Sequence, residues 1–342
     1  VPAAASPPTL ESVAARAGVS RATAGRVLSG SPRVSEQARE AVLKAAAELS
    51  YVPNHAARSL VTRRAGSVAF VVGEEEERFF ADPYFAGVLR GVRSEVRGAG
   101  VQLVLVVMTT DEERERFATF ARGGHVDGAM FVSVHGADPL PAALRAAGVP
   151  VVVSGRPYDV PAGRRGAVPY VASDNRGGGR LAARALLARG CGCVATVTGP
   201  QDMSAAQDRL AGFLEGLGER GLRPAPGGTQ EGDYSRAGGR AAAERLLERV
   251  PDVDGVFAAN DLMAAGVLDA LVARGRRVPE DVAVVGFDDV PVARETSPLL
   301  TTVRQDVHGI GAAMARLLLE LAAGGDPDPV VLPTGLVARA SA

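Results

Sequence analysis

Ser20, Arg21, Thr23 and Arg26 would share the outward side of one short helix, and their side chains suit nucleic acid. Arginine can make paired hydrogen bonds to a guanine edge, and hydroxyls suit phosphate oxygens. The residues around them say why they would stand there. In TLESVAARAGVSRATAGRVLSG (9–30), Ala14 is small where two helices would cross, and Gly18 permits a positive φ at the turn between them. Val19 plugs that turn into a core, and Val13 and Val27 supply the apolar faces. Ser20 is placed to cap the second helix, so that Arg21 and Ala22 open it toward base edges in a major groove. Ser29 offers a further hydroxyl near its end.

A second group of polar and aromatic residues falls where Val-rich runs end. Asp82-Pro83-Tyr84-Phe85 follows the run SVAFVV, Ser133 and His135 end DGAMFVS, and Arg156 follows VPVVVSG. Asn260 and Asp261 end DGVFAA, Asp288 ends VAVVGF, and Gln305 follows TTVR. With Arg209 and Tyr234 they assemble carboxylates, amides and arginine around aromatic rings, a chemistry suited to the neighbouring hydroxyls of a sugar. Asp261 reads better as a helix cap than as a ligand group, and Asp174 as the cap of NRGGGRLAARALLARG. That triple glycine lacks the GK[ST] ending of a phosphate loop.

The elements that must position these groups are of two textures. Residues 9–49 carry three short helical patterns, capped by Thr9, Ser20 and Ser35, with Val34 in the position of a hydrophobic staple. From Ser67 onward, strands at about 67–72, 101–107, 127–133, 149–154, 168–173, 193–198, 254–259 and 282–287 alternate with helices, for instance at 84–98, 176–189, 205–220, 236–249 and 261–274. Continuous Val-rich strands between helices indicate parallel sheets covered on both faces. About 275 residues exceed one such sheet, so two lobes are expected. Glu74–Glu77 reads as a solvated acidic loop and 162–166 as another exposed loop.

Composition narrows the function classes. The 342 residues are 46% hydrophobic, enough for a large core, and no run approaches the ~18 apolar residues of a membrane span. VPAAASPPTL has neither the charged start nor the apolar core of a signal peptide, so a cytoplasmic protein is expected. Net charge is −1, but residues 1–66 hold nine Lys+Arg against four Asp+Glu, which leaves the remainder acidic. A basic end on an acidic body suits a polyanionic partner at that end. Cys191 and Cys193 read as plain buried or half-buried thiols, and no metal or cofactor is expected. No GxSxG elbow, HExxH, Walker loop or dinucleotide fingerprint points to an enzyme.

Residues 9–62 resemble the headpiece of the lactose-repressor (LacI/GalR) family of transcriptional regulators. Thr9-Leu10, Val13-Ala14, Ala17-Gly18-Val19-Ser20, Arg26-Val27-Leu28, Val34-Ser35, Tyr51-Val52-Pro53-Asn54 and Ala57-Arg58-Ser59-Leu60 carry the resemblance, which continues to about residue 339. Gly25 and Ser29 depart from it, standing where the family commonly has Ser and Asn.

The resemblance implies an all-α helix-turn-helix headpiece on an α/β sensing domain of the two-lobed periplasmic-binding-protein type. The expected layout is a tail at 1–8, a DNA-reading domain at 9–53, a hinge at 54–66 and an effector-binding and dimerisation domain at 67–342. It also implies that Asn54, Ala57 and Leu60 join Ser20, Arg21, Ala22, Thr23, Arg26 and Ser29 at DNA, with Leu60 wedging into a base step of the minor groove. In the sensing domain it matches Asp82–Phe85 to an effector loop, Arg209 to an arginine on sugar hydroxyls and Tyr234 to an aromatic on a sugar face. The expected partners are a pseudo-palindromic operator, a second copy of the chain and a sugar effector. A nucleobase-responsive repressor and a sugar-binding transport receptor are the alternatives.

Overall fold

The computed structural model describes residues 8–28, 31, 33–51, 64–158 and 168–342. The chain divides into two compact units, residues 1–65 and 66–342.

In the first unit, the described helices are α1 (Leu10–Ala17), α2 (Arg21–Leu28) and α3 (Glu36–Glu48). Each start is set by a hydroxyl. Thr9 accepts from Ser12 N in a capping box, Ser20 Oγ from Thr23 N, and Ser35 from Ala38 N. Gly18 ends α1 at φ 66°, and the next residue, Val19, returns its N–H to Ala14 O. Val13, Ala14, Ala24, Val27, Val42, Ala45 and Ala46 form the core, with Val19, Val34 and Tyr51 packed around it.

The second unit has two parallel-sheet lobes. In the N-terminal lobe lie β1 (Ser67–Val72), β2 (Gln102–Val107), β3 (Ala129–Val132), β4 (Val151–Ser154), β5 (Tyr170–Ser173) and β11 (Val330–Leu332). Their order is β11-β5-β4-β3-β1-β2, with every pairing parallel. In the C-terminal lobe lie β6 (Val194–Thr198), β7 (Thr229–Glu231), β8 (Gly255–Ala258), β9 (Ala283–Asp288), β10 (Thr301–Gln305) and β12 (Thr334–Val337). The order is β12-β10-β9-β8-β6-β7, and only the β12 edge strand runs antiparallel. The chain passes between lobes after β5, after β10 and between β11 and β12, so both lobes are built from discontinuous stretches.

Two of these crossings feed straight into helices. Asp174 caps α8 (Asn175–Ala188) and Asp306 caps α12 (Val307–Ala322). α8 lies against α9 (Ser204–Gly218), and α12 against α5 (Pro83–Gly98). Both contacts rest on facing glycines: a Cβ on Gly179 would run into Arg209 O, and one on Gly311 into Val88 O. The triple glycine is therefore a packing surface, since Gly178 faces the Phe287 ring and Gly177 the Asp174 carboxylate.

Four expectations need correction or completion. Glu74 is not solvated: it is buried, while Glu75–Glu77 are exposed and Glu76 and Glu77 open α4 (Glu76–Ala81). Asp261 does not cap the helix it begins. Asn260 does, through Met263 N, and the fully buried Asp261 accepts from Val290 N and Thr302 Oγ1. The strands at 229–231, 301–305, 330–332 and 334–337 were not evident in the sequence, and neither was the amphipathic helix over 307–322. The 162–166 loop lies outside the described residues. Cys191 is buried, Cys193 half-buried, and both thiols are free. Among the described residues no helix is long and apolar enough to cross a membrane.

Candidate DNA-reading surface and effector cleft

On α2 the structure exposes Ser20, Arg21, Ala22 and Arg26 and half-buries Thr23, while Ala24 and Val27 face the core. Ser20 Oγ lies 2.9 Å from Thr23 Oγ1, and Arg21 pairs with Glu11 of α1 at 2.8 Å, both groups being mostly exposed. Such an exposed pair is worth little and leaves the guanidinium available to a stronger anion. Ser29, Asn54, Ala57 and Leu60 lie outside the described residues.

In the second unit a cavity of about 750 Å³ opens between the lobes at the carboxyl ends of the strands. Parallel α/β sheets place their ligand sites there. Asp82, Tyr84, Phe85, Ser133, Arg156, Arg209, Tyr234, Asn260, Asp288 and Gln305 all line it. Pro83 does not: it is the first residue of α5, where its missing N–H costs no hydrogen bond. His135 sits beside the wall and bridges two carboxylates.

Arg209 is the best-held side chain of the site. Its Nε donates to Asn175 Oδ1 at 2.8 Å and its Nη1 to Ala259 O at 2.5 Å, 3.5 Å from Asp288 Oδ1. Its guanidinium carbon lies 3.8 Å from the centre of the Phe287 ring. Gln305 Nε2 donates to Asp288 Oδ1 at 2.6 Å, and Ser173 Oγ donates to Gln305 Oε1 at 2.6 Å. Asn260 uses Nδ2 to hold Tyr234 O and Oδ1 to cap its helix. It therefore positions Tyr234 and keeps one amide hydrogen in reserve.

Three lining residues adopt left-handed backbone: Ser133 at φ 60°, Tyr234 at 67° and Asp288 at 114°. Conformations of this kind cost on the order of 1–3 kcal/mol and persist where surrounding bonds over-determine them. The bonds just described do so for Tyr234 and Asp288. Burial pushes the Asp288 carboxyl up to about 7, Arg209 opposing and Asp82 adding to the rise. Burial likewise raises Asp82, and it pushes the Tyr234 phenol up to about 12, so that hydroxyl keeps its proton.

Sequence reasoning missed Arg78, Ser154, Ser173 and Asn175. Arg78 lies 5.3 Å from the centre of the Tyr234 ring, reaching from one lobe to an aromatic of the other. Its Nε is buried without a partner. The available signal was the spacing of Glu74 and Arg78 just before FFADPYF, which lets the two pair across the start of α4. Ser154 meets the Tyr84 hydroxyl at 3.3 Å. Among the described residues no His, Cys, Asp or Glu cluster could hold a metal ion. The cleft thus offers fixed donors and acceptors around two tyrosines, suited to binding.

The lacI family of bacterial regulatory proteins matches residues 9–54, and a periplasmic binding protein-like domain matches residues 183–342. The HTH-type transcriptional regulator CelR of Thermobifida fusca is 48% identical over 336 residues, covering 98% of each chain. The chain belongs to the lacI family. It is a DNA-binding transcriptional regulator and not an enzyme, which sets aside the transport-receptor alternative. A solved CelR–cellobiose complex is similar to this regulator with a TM-score of 0.78 and 46% identity, over 98% of this chain and 100% of that one. A lac repressor dimer bound to operator and the anti-inducer ONPF is similar with a TM-score of 0.85 and 27% identity, over 98% and 99%.

Proposed function

We propose that this regulator is a cytoplasmic repressor of carbohydrate-utilisation genes and that its cleft takes a glucose disaccharide of the cellobiose kind. The observation that carries the ligand is the Arg209–Asp288–Gln305 array facing Tyr234 in a cavity of about 750 Å³. A space of that size suits two linked sugar rings better than one nucleobase. Directional bonds from fixed guanidinium, carboxylate and amide groups read hydroxyl positions, and an aromatic face covers the apolar side of a sugar ring. The solved CelR–cellobiose complex supports the same choice.

Residues 9–53 then read DNA through Ser20, Arg21, Ala22, Thr23 and Arg26, with Ser29, Asn54, Ala57 and Leu60 completing the contact. Residues 54–66 act as the hinge. Two copies of the chain, joined through residues 67–342, read the two halves of a pseudo-palindrome, because one headpiece covers only half a site. The test is calorimetric titration of the purified protein with cellobiose, ribose and hypoxanthine, then operator footprinting with each binder. Tight binding of cellobiose alone, together with altered operator occupancy, is the expected result. Hypoxanthine binding in its place overturns the sugar assignment.

A further inference from the structure

His135 is flanked by carboxylates on both ring nitrogens. Its Nε2 lies 3.0 Å from Glu74 Oε1, in its own lobe, and its Nδ1 lies 2.8 Å from Asp202 Oδ2, in the other lobe. A neutral imidazole has one N–H and one lone pair. In this arrangement the lone pair of a neutral ring would face a carboxylate oxygen at hydrogen-bonding distance. Only the imidazolium donates to both.

Glu74 is the centre of the arrangement. Besides His135 it accepts from Ser133 Oγ and pairs with Arg78, whose guanidinium reaches Tyr234 across the cleft. Burial alone would raise the Glu74 carboxyl, but the hydrogen bond from His135, the Arg78 charge and the Ser133 hydroxyl hold it below the usual range. The hydrogen bond to Glu74 raises the His135 imidazole, with burial opposing and Asp202 adding. Glu74, Arg78 and Asp202 are thus charged groups of this cluster, from the loop after β1, from α4 and from the turn after β6, and the buried Asp82 carboxyl faces Glu74 and Arg78 from the N-cap of α5.

Further contacts join the lobes at this rim. Gly136 N donates to Asp202 O at 2.8 Å, Ser204 Oγ to Arg156 O at 2.5 Å, and Arg156 Nη2 to Asp208 Oδ1 at 3.1 Å.

We propose that His135 is a positioning residue of the effector cleft, acting as an imidazolium that ties the two lobes together through Asp202 while fixing Arg78 through Glu74. Effector binding and protonation of His135 therefore support each other. The tie is fully present below the pKa of the ring in separated lobes. It is lost as pH rises through the higher value of the joined state. Asp202 is half exposed, so solvent limits the gain to a modest factor.

The inference rests on the cleft being the effector site, and the experiment separates the two. First, the C2 signal of His135 is titrated by NMR in the ligand-free protein. It is expected above the ordinary value of about 6.5, and Asp202→Asn lowers it. Titration at or below that value, or indifference to Asp202→Asn, overturns the tie. Second, cellobiose affinity is measured from about pH 6 to about pH 9. The wild type weakens at least about threefold, and His135→Gln and Asp202→Asn show a flatter profile. An unchanged profile in both variants overturns the link to the effector. Thermal melting of each variant separates misfolding from loss of the tie. Absence of cellobiose binding at every pH sinks the ligand assignment instead, and the tie is then decided by the NMR titration.

Discussion

Arg209 shows how much of this cleft depends on shape as well as charge. Two of its nitrogens are committed to Asn175 Oδ1 and Ala259 O, and its plane lies over Phe287. A lysine would keep the charge and lose the fork and the stacking. Arg209→Lys is therefore expected to weaken cellobiose binding by about 1.5–3 kcal/mol, since it removes charge-assisted bonds, and calorimetric titration reads the loss directly. Unchanged affinity would mean that only the positive charge matters. On the DNA side, Arg26 is exposed on α2. If it reads a guanine, Arg26→Ala costs roughly 1–3 kcal/mol at the operator and little on unrelated DNA. An equal loss on both, measured by fluorescence anisotropy, would reduce it to a phosphate contact. Arg209 and Asp288 were legible because each stands at the end of a strand or in a motif with a defined role. Arg78 and Glu74 were not, because a run of four glutamates reads as solvated until the fold turns its first member inward.

Elements differ in how openly they announce themselves. The caps Thr9, Ser20 and Ser35 and the turn at Gly18 are chemical signals local to the chain, and the headpiece helices follow from them. Central strands such as β1 and β3 are apolar runs, buried on both faces. By contrast, β10 begins Thr-Thr and contains Arg304, and β7, β11 and β12 are short strands at sheet edges. Being short or rich in polar residues, they carry no extended apolar run that would mark them. Glycines separate the two kinds of information. A Cβ on Gly25 of α2 would meet only Leu10 Cδ2, at an ordinary 3.7 Å. Gly25→Ala should stabilise the headpiece by about 1 kcal/mol, the cost of glycine inside a helix. Gly311→Ala carries the same helix gain but drives a methyl into Val88 O. It should lower the melting temperature by several degrees, as overpacking costs about 1–3 kcal/mol. Thermal denaturation of both variants checks the pair, and matching shifts would show that the α5–α12 contact yields easily.

At the scale of the whole molecule the question is how a sugar between two lobes alters a grip on DNA. Ligand can shift operator affinity only by the difference in its affinity for the DNA-competent and incompetent states. If cellobiose acts as an inducer, it favours the state in which the hinge segments proposed at residues 54–66 do not pair, and so weakens the operator complex. Reciprocity then requires operator DNA to weaken cellobiose binding by the same factor, typically within about 5–150-fold. Two variants divide the circuit. Asp288→Ala removes the carboxylate that Gln305 and Arg209 approach. The expected product binds operator normally and ignores the sugar. Leu60→Ala acts at the other end: on the proposal that Leu60 is the minor-groove wedge, its loss weakens operator binding and leaves cellobiose affinity of the free protein unchanged. Titrating cellobiose into both variants, with and without operator, decides the matter. A Leu60→Ala protein that no longer binds cellobiose, or an Asp288→Ala protein that cellobiose still removes from DNA, would show that reading and sensing are not divided between the two ends of the chain in this way. Equal cellobiose affinity with and without operator in the wild type would be more damaging. A ligand that does not distinguish the two states cannot control the repressor from this cleft, however tightly it binds.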